Sequence, residues 1–474
     1  MLFNSYLFIL VFLPFVLSTY FVLNHLNLYR CSMLFLLLSS LFFYGYWNFN
    51  YVGLLIFSIL VNYVFSKKIV STSVQKNKIL LLFGIIFNVS LLGYFKYSHF
   101  FIENVNLAFN QSFVQPQLVL PLVISFFTFT QIAYLVDTYR FNIKSTLLNY
   151  SLFVTYFPHL LAGPIIHHAE IMPQFSDVAR KKLNYKNIAI GLACFSIGLF
   201  KKSCIADTLA QWVNTGYPLI AYASTPETWI LSLCYTLQLY FDFSGYTDMA
   251  IGCSLMLNIA LPENFNSPYK ALNIQDFWRR WHMTLSRWLR DYIYIPLGGN
   301  KKPEFIIYCN LIVTFFIGGL WHGAGWNYIA WGLLHGFAIA IHRFWTKTTL
   351  VMPTIIAWPI TFIFINVTWV FFRAPSLSEA ITFIRKMFDF TFLTLPSVRY
   401  DILPTLVPFH LDTDPYPILI LLPLFLYLCL VPKNTLEIKH TYAPSLNRTL
   451  LIATYLTIGI LCLTRVSTFI YFQF

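Results

Sequence analysis

The chain has 474 residues, of which 58% are hydrophobic and 10% charged, against about 25% charged in an ordinary soluble domain. That deficit excludes a water-facing surface over most of the molecule. The net charge of +13 sits in short loops between apolar runs, the positive-inside bias of a membrane protein, so it does not point to nucleic acid.

A helix needs about 20 apolar residues to cross hydrocarbon. In chain order, the runs near 5–24, 31–48, 51–66, 79–97, 119–139, 353–372 and 449–464 approach that length. Shorter or broken runs lie at 149–162, 187–200, 227–260, 304–320, 325–342 and 418–431. Together they predict an all-α integral membrane protein with about 11–13 transmembrane or re-entrant segments. The run from Ser5 to Asn24 has no basic leader or small-residue cleavage site and reads as a retained span. No long polar stretch interrupts the pattern, so residues 1–474 read as one polytopic domain with C-terminal helices over about 416–474. The eight cysteines form no CxxC pair and read as small core hydrophobes.

Lys67, Lys68, Lys76 and Lys78 form one basic cluster, Arg140 and Lys144 another, and Arg180, Lys181, Lys182 and Lys186 a third. The stretch 270–302 carries Lys270, Arg279, Arg280, Arg287, Arg290, Lys301 and Lys302, and a last loop holds Lys433, Lys439 and Arg448. Placing all of these in the cytoplasm makes 149–162 re-entrant, ending at Gly163-Pro164, and puts both termini outside. The walk does not resolve 187–260, which Lys201 and Lys202 interrupt.

Ionisable residues at membrane depth cost about 2.5–3.5 kcal/mol on insertion scales and therefore mark candidate sites. In Tyr156-Phe-Pro-His159-Leu-Leu-Ala-Gly163-Pro164-Ile-Ile-His167-His168 the histidines read as interfacial. The run Tyr240–Asp248 sets Asp242 and Asp248 around Gly245, a residue able to break the helix. Its carboxylates either orient a catalytic group or pair with arginines of 270–302. Around Asp276–His282, a helical reading places Trp278, Trp281, Leu285 and Trp288 on one face, with Arg279, Arg280, Arg287 and Arg290 largely elsewhere. That is an amphipathic helix at the interface, either without chemistry or forming a basic wall for an anionic thioester donor. His282 within it is a second candidate.

The sharpest feature is His322, flanked by Gly318, Gly319, Gly323 and Gly325, with Trp321, Trp326 and Trp331 around it. Half of the 12 tryptophans fall between 278 and 331, which predicts one packed site. A neutral imidazole there suits a general base for a hydroxyl. Asn327 or a tryptophan indole could stabilise an oxyanion. His335 and His342 lack carboxylate or cysteine company, so no metal is expected.

The stretches PLVISFFTFTQIAYLVDTYR, FPHLLAGPI, LQLYFDFSGYTDMAIG, FWRRWHMTLSRWLRDYIYIPLGG, GGLWHGAGWNYIAWGLLHG and VFFRAPSLSEAI, in order from about 120 to 385, resemble the membrane-bound O-acyltransferase family. The likeness is to its bacterial branch of alginate O-acetylation and D-alanyl transfer. The resemblance implies a ring of helices around a central funnel, catalysis at His322 with His282 as a second functional position, and no bound cofactor. It implies acetyl-CoA or another acyl thioester as donor, acyl transfer across the bacterial inner membrane toward an alginate-like polysaccharide, and a periplasmic acetyltransferase partner. D-alanyl or other acyl transfer to a cell-wall polymer is the alternative. From another class, a polymer or lipid transporter would also carry broken helices. The ending Phe469-Ile-Tyr471-Phe-Gln-Phe474 resembles an FxYxxF ending found on a small partner protein of the D-alanyl system, which makes Tyr471 a candidate acyl relay.

Overall fold

The computed structural model describes residues 1–71, 74–116, 118–161, 163–389 and 416–464. Among them every regular element is a helix. Seven helices are long and apolar enough to cross a membrane, or eight if the bent pair Ile418–Leu430 and Thr435–Thr441 counts as one span. The protein is thus a multi-pass membrane protein.

The chain packs as two compact units, each assembled from separate stretches: 1–197, 246–263 and 442–453 in the first, and 198–245, 264–441 and 454–474 in the second. In the first, helices α1 (Phe8–His25), α2 (Tyr29–Gly45), α3 (Asn50–Ser71), α4 (Lys76–Phe109) and α5 (Ile124–Phe141) are followed by the short α6 (Leu147–Thr155). A kink at Tyr156 separates α6 from the single turn Phe157–Leu160, so the run 149–162 is too short and too broken to span. His159 is buried there, with its ring Nε2 2.9 Å from the Phe153 carbonyl, and His168 Nδ1 lies 3.0 Å from Asp137. The interfacial reading of His159 is therefore corrected: it ties the kink to the preceding helix.

Helices α7 (Tyr185–Tyr222) and α8 (Thr225–Met256) contribute to both units. Lys201 and Lys202 do not interrupt α7. The helix passes through them as a π-turn over Lys201–Ala206. Nor does Gly245 break α8. A β-carbon at Gly245 would lie 2.7 Å from the Gly198 carbonyl, so glycine serves the close approach of two helices.

The rest of the second unit is built from α9 (Ile274–Trp278), α10 (Met283–Leu289), α11 (Glu304–His322), α12 (Trp326–Trp345), α13 (Thr354–Arg373) and α14 (Leu377–Met387), followed by α15 (Tyr416–Leu430) and α16 (Thr435–Thr441). The last helix, Leu446–Leu461, is shared between the units. Helices α11 and α12 form a tight hairpin because small residues face each other. A β-carbon at Gly319 would lie 2.4 Å from the Tyr328 carbonyl, and one at Gly332 2.4 Å from the Phe315 carbonyl. Of the glycines beside His322, Gly319 thus serves backbone-to-backbone packing, while Gly323 makes room for the Tyr328 ring. Gly332→Ala would force these backbones apart and is expected to cost about 1–3 kcal/mol, read as a lower melting temperature of the detergent-purified protein.

Candidate functional site

The amphipathic surface helix expected over the FWRRWH segment is corrected by the structure. Two short helices, α9 and α10, replace it, joined by a turn in which His282 takes a left-handed φ of 41°. Trp278, Trp281, Leu285 and Trp288 are all buried, so the tryptophan face packs inside the protein. Arg279 is exposed, Arg280 pairs with Asp276 at 2.8 Å, and Arg290 pairs with Asp291 at 2.7 Å. Two of the four arginines of the expected basic wall are therefore neutralised locally.

The kink is held by Asn264, which lies 18 residues before His282. The Asn264 side-chain oxygen accepts the Thr284 backbone N–H at 3.3 Å and the Thr284 hydroxyl at 2.8 Å, and lies 3.0 Å from His282 Nδ1. A backbone N–H can only donate, so the atom it meets on Asn264 is the oxygen. His282 Nδ1 must then carry the proton, which leaves the lone pair on Nε2. The geometry fixes the tautomer of a fully buried imidazole and selects the nitrogen that can accept a proton.

His322 is the last residue of α11, followed by Gly323 in extended backbone. Its ring sits among Trp321 at 5.0 Å, Trp331 at 5.0 Å and Phe372 at 5.1 Å, centroid to centroid, and the Trp331 ring is perpendicular to it at 89°. Trp321 also lies 6.3 Å from the His282 ring, so one indole touches both imidazoles. Phe243 packs edge-on against His282 at 4.8 Å. Trp326 is 55% exposed and lies outside this cage, contrary to the sequence expectation.

Asn327 is buried, and its side-chain amide donates to the Phe371 and Ala374 carbonyls at 3.2 and 2.9 Å. Both of its N–H bonds fasten the end of α13 to the start of α12, which removes it as an oxyanion donor. The Trp331 indole N–H, by contrast, is buried without an acceptor among the described residues. It is therefore the neighbouring donor that a developing oxyanion could use.

Asp242 pairs with Lys202 at 2.5 Å, and the same ammonium meets Asp207 at 2.7 Å, with all three side chains buried. The expected pairing of Asp242 with an arginine of 270–302 is corrected to this lysine. Asp248 is buried further along α8, in the stretch that belongs to the first unit. His335, set aside in the sequence as an unaccompanied histidine, is a clamp. The Trp278 indole N–H donates to its Nδ1 at 3.1 Å, and its Nε2–H donates to the Thr368 hydroxyl at 3.1 Å, which passes its own proton to the Ile365 carbonyl at 2.9 Å. That chain links α9, α12 and α13 around the tryptophans that enclose His322. Tyr471 lies outside the described residues.

Two buried imidazoles, His282 and His322, both in ring contact with the Trp321 indole, thus lie together in one helical unit of a multi-pass membrane protein. The chain belongs to the membrane-bound O-acyltransferase family, whose profile matches residues 88–377, and it is an acyltransferase. It is 51% identical over 422 residues to the peptidoglycan O-acetyltransferase of Helicobacter pylori, covering 82% of this chain and 80% of that protein. It is 39% identical to the probable alginate O-acetylase AlgI of Azotobacter vinelandii, covering 84% and 80% respectively. It is 30% identical over 261 residues to the teichoic acid D-alanyltransferase of Bacillus subtilis, covering 52% and 66%.

Proposed function

We infer that the protein takes an acetyl group from a cytosolic thioester, acetyl-CoA in the simplest case, and delivers it to hydroxyls of an extracytoplasmic cell-wall polymer, with peptidoglycan the first candidate. It would act in the bacterial cytoplasmic membrane together with a periplasmic transferase. The observation that carries the choice of polymer is the 51% identity to a peptidoglycan O-acetyltransferase over 82% of the chain, against 39% to an alginate O-acetylase. This moves the acceptor away from the alginate-like polymer expected from the sequence.

In the proposed mechanism His322 removes the proton from the attacking hydroxyl. The oxygen adds to the thioester carbonyl, and the thiolate leaves with a proton. The Trp331 indole N–H is the donor offered to the oxyanion. His282, held as the Nδ1–H tautomer by Asn264, keeps Nε2 able to relay that proton. The lone pair on His282 and the donor on Trp331 support this division of labour.

The test is chemical. Sacculi from cells with and without the protein are treated with mild alkali and the released acetate is measured. Loss of most ester-linked acetate from the deficient cells is expected. Unchanged sacculi alongside lost acetate on an exported uronate polymer, or lost D-alanine on teichoic acid, would overturn the assignment in favour of that polymer.

A further inference from the structure

Trp331 and His335 lie one turn apart on the same face of α12. The Trp331 ring is the wall that meets His322 at a right angle, 5.0 Å away. Its other ring neighbours are Trp369, stacked at 5.7 Å and 19°, Phe372 at 5.4 Å, Trp278 at 5.8 Å and His335 at 4.7 Å. The Trp331 indole N–H has no acceptor among the described residues. The side chain is therefore held by the rings around it and not by a hydrogen bond of its own. Apolar contact with Trp369 and Phe372 is largely non-directional, whereas a hydrogen bond fixes both distance and angle.

His335 differs from those apolar rings in being tied down itself. It is fully buried, and both of its ring nitrogens are engaged. An indole N–H can only donate, so Nδ1 accepts from Trp278 and the proton sits on Nε2, facing the Thr368 hydroxyl. The first bond reaches the last residue of α9, and the second reaches α13 one residue before Trp369. Three helices are thus brought into register on a ring that lies against Trp331. A phenylalanine at 335 would fill the same volume and keep the ring contact, but it would make neither bond. With both nitrogens committed, His335 has no lone pair to offer a substrate.

We propose that His335 is a positioning residue for acyl transfer. Its two hydrogen bonds set the Trp331 ring, and that ring sets the angle at which the His322 imidazole is presented. The inference rests on the reading of His322 as the base and adds what holds that base in place. His335 itself exchanges no proton in the reaction.

The experiment uses the full-length protein in membrane vesicles, with acetyl-CoA as the probe and released CoA thiol per mole of protein as the readout. His335→Phe is expected to lower kcat by about 10- to 10²-fold, the cost of a misplacement near 1 Å. KM for acetyl-CoA should stay within about twofold of wild type, because binding of the donor is untouched. His335→Asn puts an oxygen where Nδ1 stands, so Trp278 keeps its acceptor, and most of the lost kcat should return. In a Trp331→Phe background the ring through which His335 acts is already changed. His335→Phe should then add less than about threefold, the non-additivity of residues that act as one unit. Where His335→Phe does not accumulate, the pair Trp278→Phe, His335→Phe takes its place, since it strands no donor. An unchanged kcat in His335→Phe overturns the proposal, as does a loss confined to KM. So does an Asn variant as poor as the Phe variant, or losses from Trp331→Phe and His335→Phe that multiply independently. Any of these beside an inactive His322→Gln protein strikes the positioning role alone. Retained transfer in His322→Gln strikes the reading of the base, and the proposal with it.

Discussion

A His322→Gln protein is expected to accumulate in the membrane at the wild-type level and to lose acyl transfer by about 10²- to 10⁴-fold, the contribution of a positioned general base. Glutamine approximates the volume of imidazole and can stay within the cage of Trp321, Trp331 and Phe372, so the loss should fall on turnover. What it removes is the only atom at that position able to accept and release a proton near neutral pH. The measurement is acetyl transfer per mole of purified protein, with melting temperature as the control for folding. Transfer within tenfold of wild type by a normally folded His322→Gln protein would refute the role. A matched His282→Gln protein tests the division of labour, because an amide nitrogen can still donate to Asn264 while the lone pair of Nε2 is gone. A loss there as deep as in His322→Gln would make the two imidazoles partners in one proton path, which the shared contact with Trp321 permits.

The helical class and the packing of the Trp278–Trp331 aromatics around His322 were legible because they rest on local signals: apolar length, clustered glycine and tryptophan, and a histidine where polar groups are expensive. What the sequence did not show is set by contacts distant along the chain. The spacing of Trp278, Trp281, Leu285 and Trp288 is helical, yet Asn264 bends the segment at His282 through three side-chain contacts that no local pattern announces. Gly245 reads as a helix breaker by propensity, but its partner is Gly198, 47 positions away. Asn327 reads as a free amide beside His322, and only the end of α13 shows where its donors go. Lys201 and Lys202 read as a break in the apolar run because a buried ammonium is costly, and the structure offsets that cost with two carboxylates.

That buried lysine carries the second large prediction. Lys202 is 1% exposed and holds Asp207 and Asp242, themselves 2% and 1% exposed. Removing one member of a buried ionic group leaves uncompensated charge and costs about 3–5 kcal/mol. Lys202→Met leaves two carboxylates facing each other in place of their shared cation, so it should lower the yield of folded protein severely and depress the melting temperature of whatever folds. The effect should reach the site as well. Asp242 precedes Phe243, whose ring lies against His282, so a shift of α8 at the triad displaces the wall of the second imidazole. The triple change Lys202→Met, Asp207→Asn, Asp242→Asn removes all three charges at nearly constant volume. It should recover most of the lost stability, because an apolar or neutral replacement of a buried ionic group is often neutral or stabilising. Recovery of stability without recovery of transfer would mean that the triad also sets the position of Phe243 and His282. Full stability in the single Lys202→Met protein would mean that the two carboxylates find protons or water without the lysine, and the triad would lose its structural role.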